Sequence, residues 1–182
     1  MGHFVIELFF DTALEQYVRA LWRDLAAAGI SEDLALDGAR PHLSVCSFRD
    51  IAIDHLGAKM RGLSARSGPV SMEMLSLGVF LSPEEVLYLS PTVSAELLAL
   101  HAGIVDAVRQ SGGAIGEYYE PGRWVPHCSL AVGLDQERMA AAITLVRKRA
   151  EPVSGWVQSA VIVEIRPPSS TVVGDEFVLV GR

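Results

Sequence analysis

The chain is 182 residues long and half hydrophobic, and its 22 acidic against 15 basic side chains leave a formal net charge of −7. That length suffices for one domain with a substantial core, or for two tightly joined lobes, and is too short for two ordinary independent domains. The acidic balance excludes a protein that wraps long duplex nucleic acid, which needs a broad basic footprint, but allows a small phosphate held by a few local donors.

From the amino end, residues 3–10 are rich in Phe, Val and Ile and predict a strand. Thr12-x-x-Glu15 reads as a capping box opening a helix whose Leu14, Tyr17, Val18, Leu21, Trp22 and Leu25 keep the i, i+3, i+4, i+7 pattern and which Gly29 ends. Residues 31–40 form a polar, acidic loop in which Arg40 is expected at the surface. A strand follows from His42 to about Phe48, with Pro41 at its mouth, where proline is tolerated. A second helix is expected over about 50–63, then strands over 70–80, bending near Gly78, and over 85–89. A third helix over 94–110 buries Leu97, His101, Ile104 and Val108 on one face and stops at Gly112-Gly113. Residues 114–125 form a loop holding Tyr118, Tyr119, Arg123 and Trp124, and feed a strand that begins at His127. Asp135 caps a fourth helix with Arg147-Lys148-Arg149 in its last turn, where cations suit the helix dipole. Strands over about 156–165 and 171–180, around the turn Pro167-Pro168-Ser169-Ser170, complete the chain.

One pattern recurs along this order. Pro41-His42-Leu43-Ser44-Val45 returns as Pro126-His127-Cys128-Ser129-Leu130. Composition alone predicts about 0.02 occurrences of Pro-His-x-Ser, so two are informative. His127 follows His42 by 85 positions, and Pro152-Val153-Ser154 follows Pro69-Val70-Ser71 by 83. A displacement this constant across strand, helix, motif strand and helix points to a duplicated unit. The expectation is a single domain over 1–182 built from two pseudo-repeats, about 1–83 and 84–182, whose histidines face each other across one cleft. The fold class is then α+β: two pseudo-symmetric lobes of mainly antiparallel sheet with outer helices around a central cleft.

In an extended strand side chains alternate faces, so each motif presents one imidazole and one hydroxyl together, with Leu43, Val45, Cys128 and Leu130 turned toward a core. Free imidazole titrates at about 6.5, so near neutral pH one histidine can act as base while the other acts as acid. In-line attack at phosphorus needs that division of labour: the nucleophile loses a proton as the leaving oxygen gains one. Ser44 and Ser129 are placed to hydrogen-bond the phosphoryl oxygens as charge builds there.

The paired His-x-Ser strands, their interval and the repeated lobe pattern resemble the 2H phosphoesterase superfamily, whose signature is two His-x-Thr/Ser-x tetrapeptides. The wider outline looks like its bacterial 2′-5′ RNA ligase-like branch, and the resemblance spans nearly the whole chain. It implies metal-independent chemistry on cyclic phosphodiesters, especially RNA ends bearing a 2′,3′-cyclic phosphate. It also implies an acid/base pair at His42 and His127 and phosphate clamps at Ser44 and Ser129. Serine stands at both positions where the family often has threonine; the hydroxyl is kept on a freer rotamer.

Around these motifs, Tyr119, Arg123 and Trp124 are candidate substrate contacts, an aromatic stacking on a base and Arg123 meeting phosphate. The competing reading packs Trp124 beneath the cleft and leaves Arg123 solvated. His101 reads as a core histidine, and His3 and His55 have no motif context. Cys46 and Cys128 read as buried reduced thiols. No metal site is expected, because His-x-Ser lacks the partners that zinc sites show. No cofactor is expected either, since neither a Walker loop nor a Gly-x-Gly-x-x-Gly fingerprint is present. The expected partner is a small nucleotide or RNA end, handled by hydrolysis, by 2′-5′ ligation at the same site, or by binding alone. No apolar run reaches the length of a membrane span, and the amino end shows no signal sequence, so a cytoplasmic monomer is expected.

Overall fold

The computed structural model describes residues 2–36, 39–49, 51–81, 85–166 and 169–181. β1 (His3–Phe10) leads through Asp11 into α1 (Thr12–Ala27), a four-residue helix α2 (Asp33–Leu36), β2 (His42–Arg49) and α3 (Ile53–Arg66). β3 (Val70–Val79), β4 (Leu87–Pro91) and α4 (Ala95–Gln110) follow. Then come the two-residue β5 (Ala114–Ile115), a 3₁₀ turn (Glu117–Tyr119), β6 (Cys128–Ala131), α5 (Gln136–Arg149), β7 (Val153–Arg166) and β8 (Ser169–Val178).

The strands form one antiparallel sheet in the order β5-β2-β1-β7-β3-β4-β6, with β8 added to β7. β7 is long enough to serve two sets of partners. Its first part pairs with β3, from Val70 opposite Val157 to Met74 opposite Val153, and the remainder pairs with β1 and β8. The main core lies between the sheet and its helices: Ile6, Leu8, Leu43, Val45, Met72, Leu87 and Ile162 meet Leu14 and Val18 of α1, Leu56 and Met60 of α3, Leu97 and Ile104 of α4 and Val146 of α5. Period-2 alternation sends the odd-numbered side chains of β1 the other way, where Phe9 joins Val161 and Val163 in a second, smaller cluster. That second face carries the histidines.

Several boundaries differ from expectation for local reasons. α1 is capped by Asp11, whose Oδ1 accepts from the Leu14 backbone N–H at 2.8 Å, so Thr12 is the first helical residue and no capping box forms. Asp11 wins because its other carboxylate oxygen accepts the Trp156 N–H of β7 at 2.7 Å, tying helix start to sheet. Glu15 is thereby free to receive Arg19 and Arg40. Asp11→Ala is expected to cost about 1–2 kcal/mol in chemical denaturation and Thr12→Ala almost nothing; equal losses would restore the capping box.

α3 runs three residues later than expected, beyond Leu63 to Arg66, and β7 begins at Val153 rather than near Trp156 because β3 supplies it with a partner. The 114–125 loop is partly ordered as β5 and the 3₁₀ turn, since the outer edge of β2 takes Ile115 opposite Phe48 and the Gly116 N–H at Ser47 O, 2.7 Å. The expected start of the second helix at Asp50 and the turn at Pro167-Pro168 lie outside the described residues. No helix among those described is long and apolar enough to cross a membrane.

Candidate active site

The two motifs are built alike down to single hydrogen bonds. The Nδ1 of His42 lies 2.8 Å from the carbonyl of Arg40, and that of His127 lies 2.8 Å from the carbonyl of Val125, each two residues upstream. A carbonyl only accepts, so Nδ1 carries the hydrogen in both rings and Nε2 is left to exchange protons with a ligand. Alternation holds at both: Leu43, Val45, Cys128 and Leu130 are buried, while His42, Ser44, His127 and Ser129 are partly exposed.

Cross-strand register repeats the same way. In the β1/β2 ladder Glu7 faces Ser44 and Ile6 faces Cys46, which leaves Val45 as the extra residue of a bulge. Along β4/β6, Tyr88 faces Ser129 and Leu87 faces Ala131, which leaves Leu130 as the extra residue. Each bulge therefore sits one residue beyond its motif serine. Where the first half sets Glu7 beside its motif, the second sets Tyr88.

Contacts between the halves bring the motifs together. β2 and β6 touch. The Trp22 indole N–H donates to Ser129 O at 3.0 Å, and the Trp124 indole N–H donates to Ser44 O at 2.9 Å. Each indole thus crosses to the motif of the opposite half and holds its serine backbone from behind. Sequence periodicity marks Trp22 only as a helix residue of the core, so this role has no signal in the sequence.

The surroundings of the two rings differ. His42 Nε2 lies 3.6 Å from Glu7 Oε1, with the Glu7 side chain only 14 % exposed. Burial raises the Glu7 carboxyl above its ordinary range, and the His42 charge pulls it back. His127 instead packs edge-on to Phe80, centroids 4.7 Å apart, and against Tyr88 at 5.4 Å. Burial pushes the His127 imidazole below its ordinary value; the Val125 carbonyl opposes that shift and the His42 charge adds to it. The only sequence sign of Glu7 is that it stands as the lone acid in an apolar strand.

Beside His42 the open sheet face holds a cavity of about 330 Å³, lined by Glu7, Phe9, Arg40, Val161 and Glu176 among others. Arg40, expected at the surface, is partly exposed and engaged there. Its Nε and Nη2 hold Glu15 Oε2 at 3.1 and 2.8 Å, and its guanidinium covers the Phe9 ring at 4.1 Å.

Among the loop candidates, Trp124 stacks on the buried His101 ring at 4.3 Å in addition to holding Ser44. His101 Nε2 in turn donates to the Tyr119 carbonyl at 3.0 Å, so it is a satisfied core histidine. Arg123 is exposed, paired with Glu117 and set over the Tyr118 ring. Both cysteines are buried and unpaired, and burial pushes each thiol up to about 12, far from thiolate chemistry at neutral pH. Among the described residues, no three His, Cys, Asp or Glu side chains are grouped to hold a metal ion.

Comparison with known proteins identifies a family and a shared fold. The sequence profile of the 2′-5′ RNA ligase superfamily matches residues 10–167. The crystal structure of TT0787 of Thermus thermophilus is similar over 100 % of this chain and 99 % of that one, with a TM-score of 0.62 at 17 % identity. E. coli LigT complexed with 3′-AMP is similar over 98 % and 97 %, with a TM-score of 0.61 at 11 % identity. The MHV ns2 PDE domain is similar over 91 % and 100 %, with a TM-score of 0.54 at 17 % identity. At these identities the likeness is one of fold. No curated protein sequence matches the chain significantly.

Proposed function

The chain belongs to the 2′-5′ RNA ligase superfamily, a group of 2H phosphoesterases, and from that premise we propose that it hydrolyses 2′,3′-cyclic phosphate on a nucleotide or short RNA end, leaving a 2′-phosphate. The observation that carries this reading is the matched pair of imidazoles, each fixed through Nδ1 with Nε2 available, each beside a serine. Two titrating groups held in the same way serve a reaction that moves one proton on and another off; binding alone would not demand them. His42 and His127 are the acid/base pair, and the Ser44 and Ser129 hydroxyls hold the non-bridging oxygens. Neither role calls for a metal or cofactor.

Charge orients the substrate. An anion is disfavoured against Glu7 and Glu176, so the phosphate sits at the Nε2 edges and serine hydroxyls, and the uncharged nucleoside part lies toward the cavity beside His42. LigT has been solved with 3′-AMP, phosphate and ATP, which supports a ligand of that class. Trp124 serves the site from behind through Ser44, and Arg123 and Tyr119 belong to the same loop as Trp124.

A single domain of two repeats, about 1–83 and 84–182, is part of the same reading. Met72 pairs with Gly155, 83 positions on, the same displacement that relates the two Pro-Val-Ser segments. A local twofold through that pair would interchange the bulges at Val45 and Leu130.

The test is hydrolysis of the four nucleoside 2′,3′-cyclic monophosphates in excess EDTA, with the product isomer identified. Turnover to the 2′-phosphate is expected. Absence of turnover on all four, and on short RNAs ending in cyclic phosphate, would overturn the proposal. Because the matching family is described by ligation, cyclic-phosphate and 5′-hydroxyl fragments supplied together should also be examined for joined product.

A further inference from the structure

The space beside the two histidines is open on one side and filled on the other. Next to His127 the Phe80 and Tyr88 rings lie 4.6 Å apart, Phe80 meets the imidazole edge-on, and the Tyr88 ring takes the place that a side chain on Gly78 would occupy. Next to His42 stands the cavity of about 330 Å³, at the small end of ligand sites and enough for one nucleoside. Resting on the phosphodiesterase reading, we infer that this cavity selects guanine: Arg40 is the shelf on which the base stacks, and Glu176 reads the base's edge.

The shelf follows from how Arg40 is held. Phe9 stands on the open face of the sheet, yet its ring is only 4 % exposed, because the Arg40 guanidinium lies over it at 4.1 Å. Glu15 fixes the guanidinium edge through Nε at 3.1 Å and Nη2 at 2.8 Å. One face and one edge are thereby taken, and the opposite face looks away from the sheet, where the group lines the cavity. A planar guanidinium immobilised in this way stacks on a nucleobase as an aromatic ring does. Trp124 is engaged behind Ser44, so the stacking role passes to Arg40.

Stacking alone accepts every base. Discrimination comes from Glu176, which faces the same cavity from β8. The hydroxyl of the buried Ser159 donates to Glu176 Oε1, and Arg40 Nη1 lies 3.8 Å from that same oxygen. Ser159 thus fixes the direction of the carboxylate while Oε2 is left to a ligand. Glu7, the other acid of the cavity, lies against His42 Nε2 at 3.6 Å, so the edge reading falls to Glu176.

A carboxylate only accepts. Guanine alone among the four bases carries two donors side by side on its pairing edge, N1–H and the N2 amino group. Adenine and cytosine set a ring-nitrogen lone pair beside their amino group, and uracil flanks its single N–H with two carbonyl oxygens. Each of those acceptors is repelled by a carboxylate, so Glu176 opposes three bases by the same charge that admits one.

Binding and turnover are measured separately. By calorimetry, wild type is expected to bind guanosine 2′-monophosphate about 10-fold or more tightly than the 2′-monophosphates of adenosine, cytidine and uridine. Glu176→Gln keeps an acceptor for Ser159 and offers a donor beside an acceptor, the pattern that matches adenine and cytosine. It should weaken the guanosine nucleotide by roughly 5–150-fold and strengthen the adenosine and cytidine ones. Arg40→Lys keeps the charge and removes the plane, and should weaken all four by a similar factor of roughly 5–150. Equal affinity for the four in wild type, tighter binding of another base, or no binding of any would overturn the proposal. So would wild-type affinities in either variant. Across the four nucleoside 2′,3′-cyclic monophosphates kcat/KM should rank in the same order, and a different order would also overturn it. Guanine preference in binding, with no turnover on any cyclic phosphate, would count against the phosphodiesterase reading and not against this subsite.

Discussion

His42→Ala and His127→Ala are each expected to lower kcat for a nucleoside 2′,3′-cyclic phosphate by about 10²–10⁴-fold, with KM little changed. Both rings sit on the open face of the sheet, outside the main core, so the loss should come without loss of folding. Each imidazole moves a proton only as the phosphorus bonds change, and that is why the effect falls on kcat. Because acid and base act in the same transition state, the double variant should fall far short of the product of the single losses. Steady-state kinetics in EDTA, with thermal unfolding as the control for folding, decides the matter. A variant that kept more than a tenth of wild-type kcat would remove its histidine from the chemistry. Ser44→Ala and Ser129→Ala should follow the same pattern at about 10²-fold, the usual loss for one donor to a developing oxyanion.

What the sequence makes legible is what repeats at short range. His-x-Ser twice on predicted strands places imidazole and hydroxyl on one face, because alternation follows from the backbone alone. The Pro-Val-Ser recurrence announces the strands that meet along β3 and β7. What stays hidden depends on which residues face each other across strands. Glu7 comes opposite Ser44 only because Val45 bulges out, and a bulge follows from pairing that periodicity does not encode. The same holds for Tyr88 and Leu130. Asp11 and Thr12 are both good cap residues, and the choice between them is made by β7, 145 positions away. For Trp124 the sequence leaves two readings level, a ring stacked on substrate or a ring packed beneath the cleft.

Those two readings make opposite demands on one conservative change. Trp124→Phe keeps an aromatic face, so a ring that stacks on a base would bind nearly as before and the protein would be as stable as wild type. The indole N–H, however, satisfies the Ser44 carbonyl at 2.9 Å, and the ring lies on His101 at 14° between planes. Phenylalanine removes the donor and leaves that carbonyl without it, at a cost of about 1–3 kcal/mol. Trp22→Phe is the matched change in the other half, since its N–H holds Ser129 O and its ring is buried. Trp22→Ala should be harsher, about 3–5 kcal/mol, because a large core side chain is lost as well. In both Phe variants the released carbonyl belongs to the motif serine, two residues from its histidine, so kcat should fall and KM stay close to wild type. Denaturant unfolding together with steady-state kinetics separates the alternatives. Stability, kcat and KM all close to wild type in Trp124→Phe would favour the ring that stacks on the substrate. Lost stability with a reduced kcat in both variants would show that each half holds the other's motif in place.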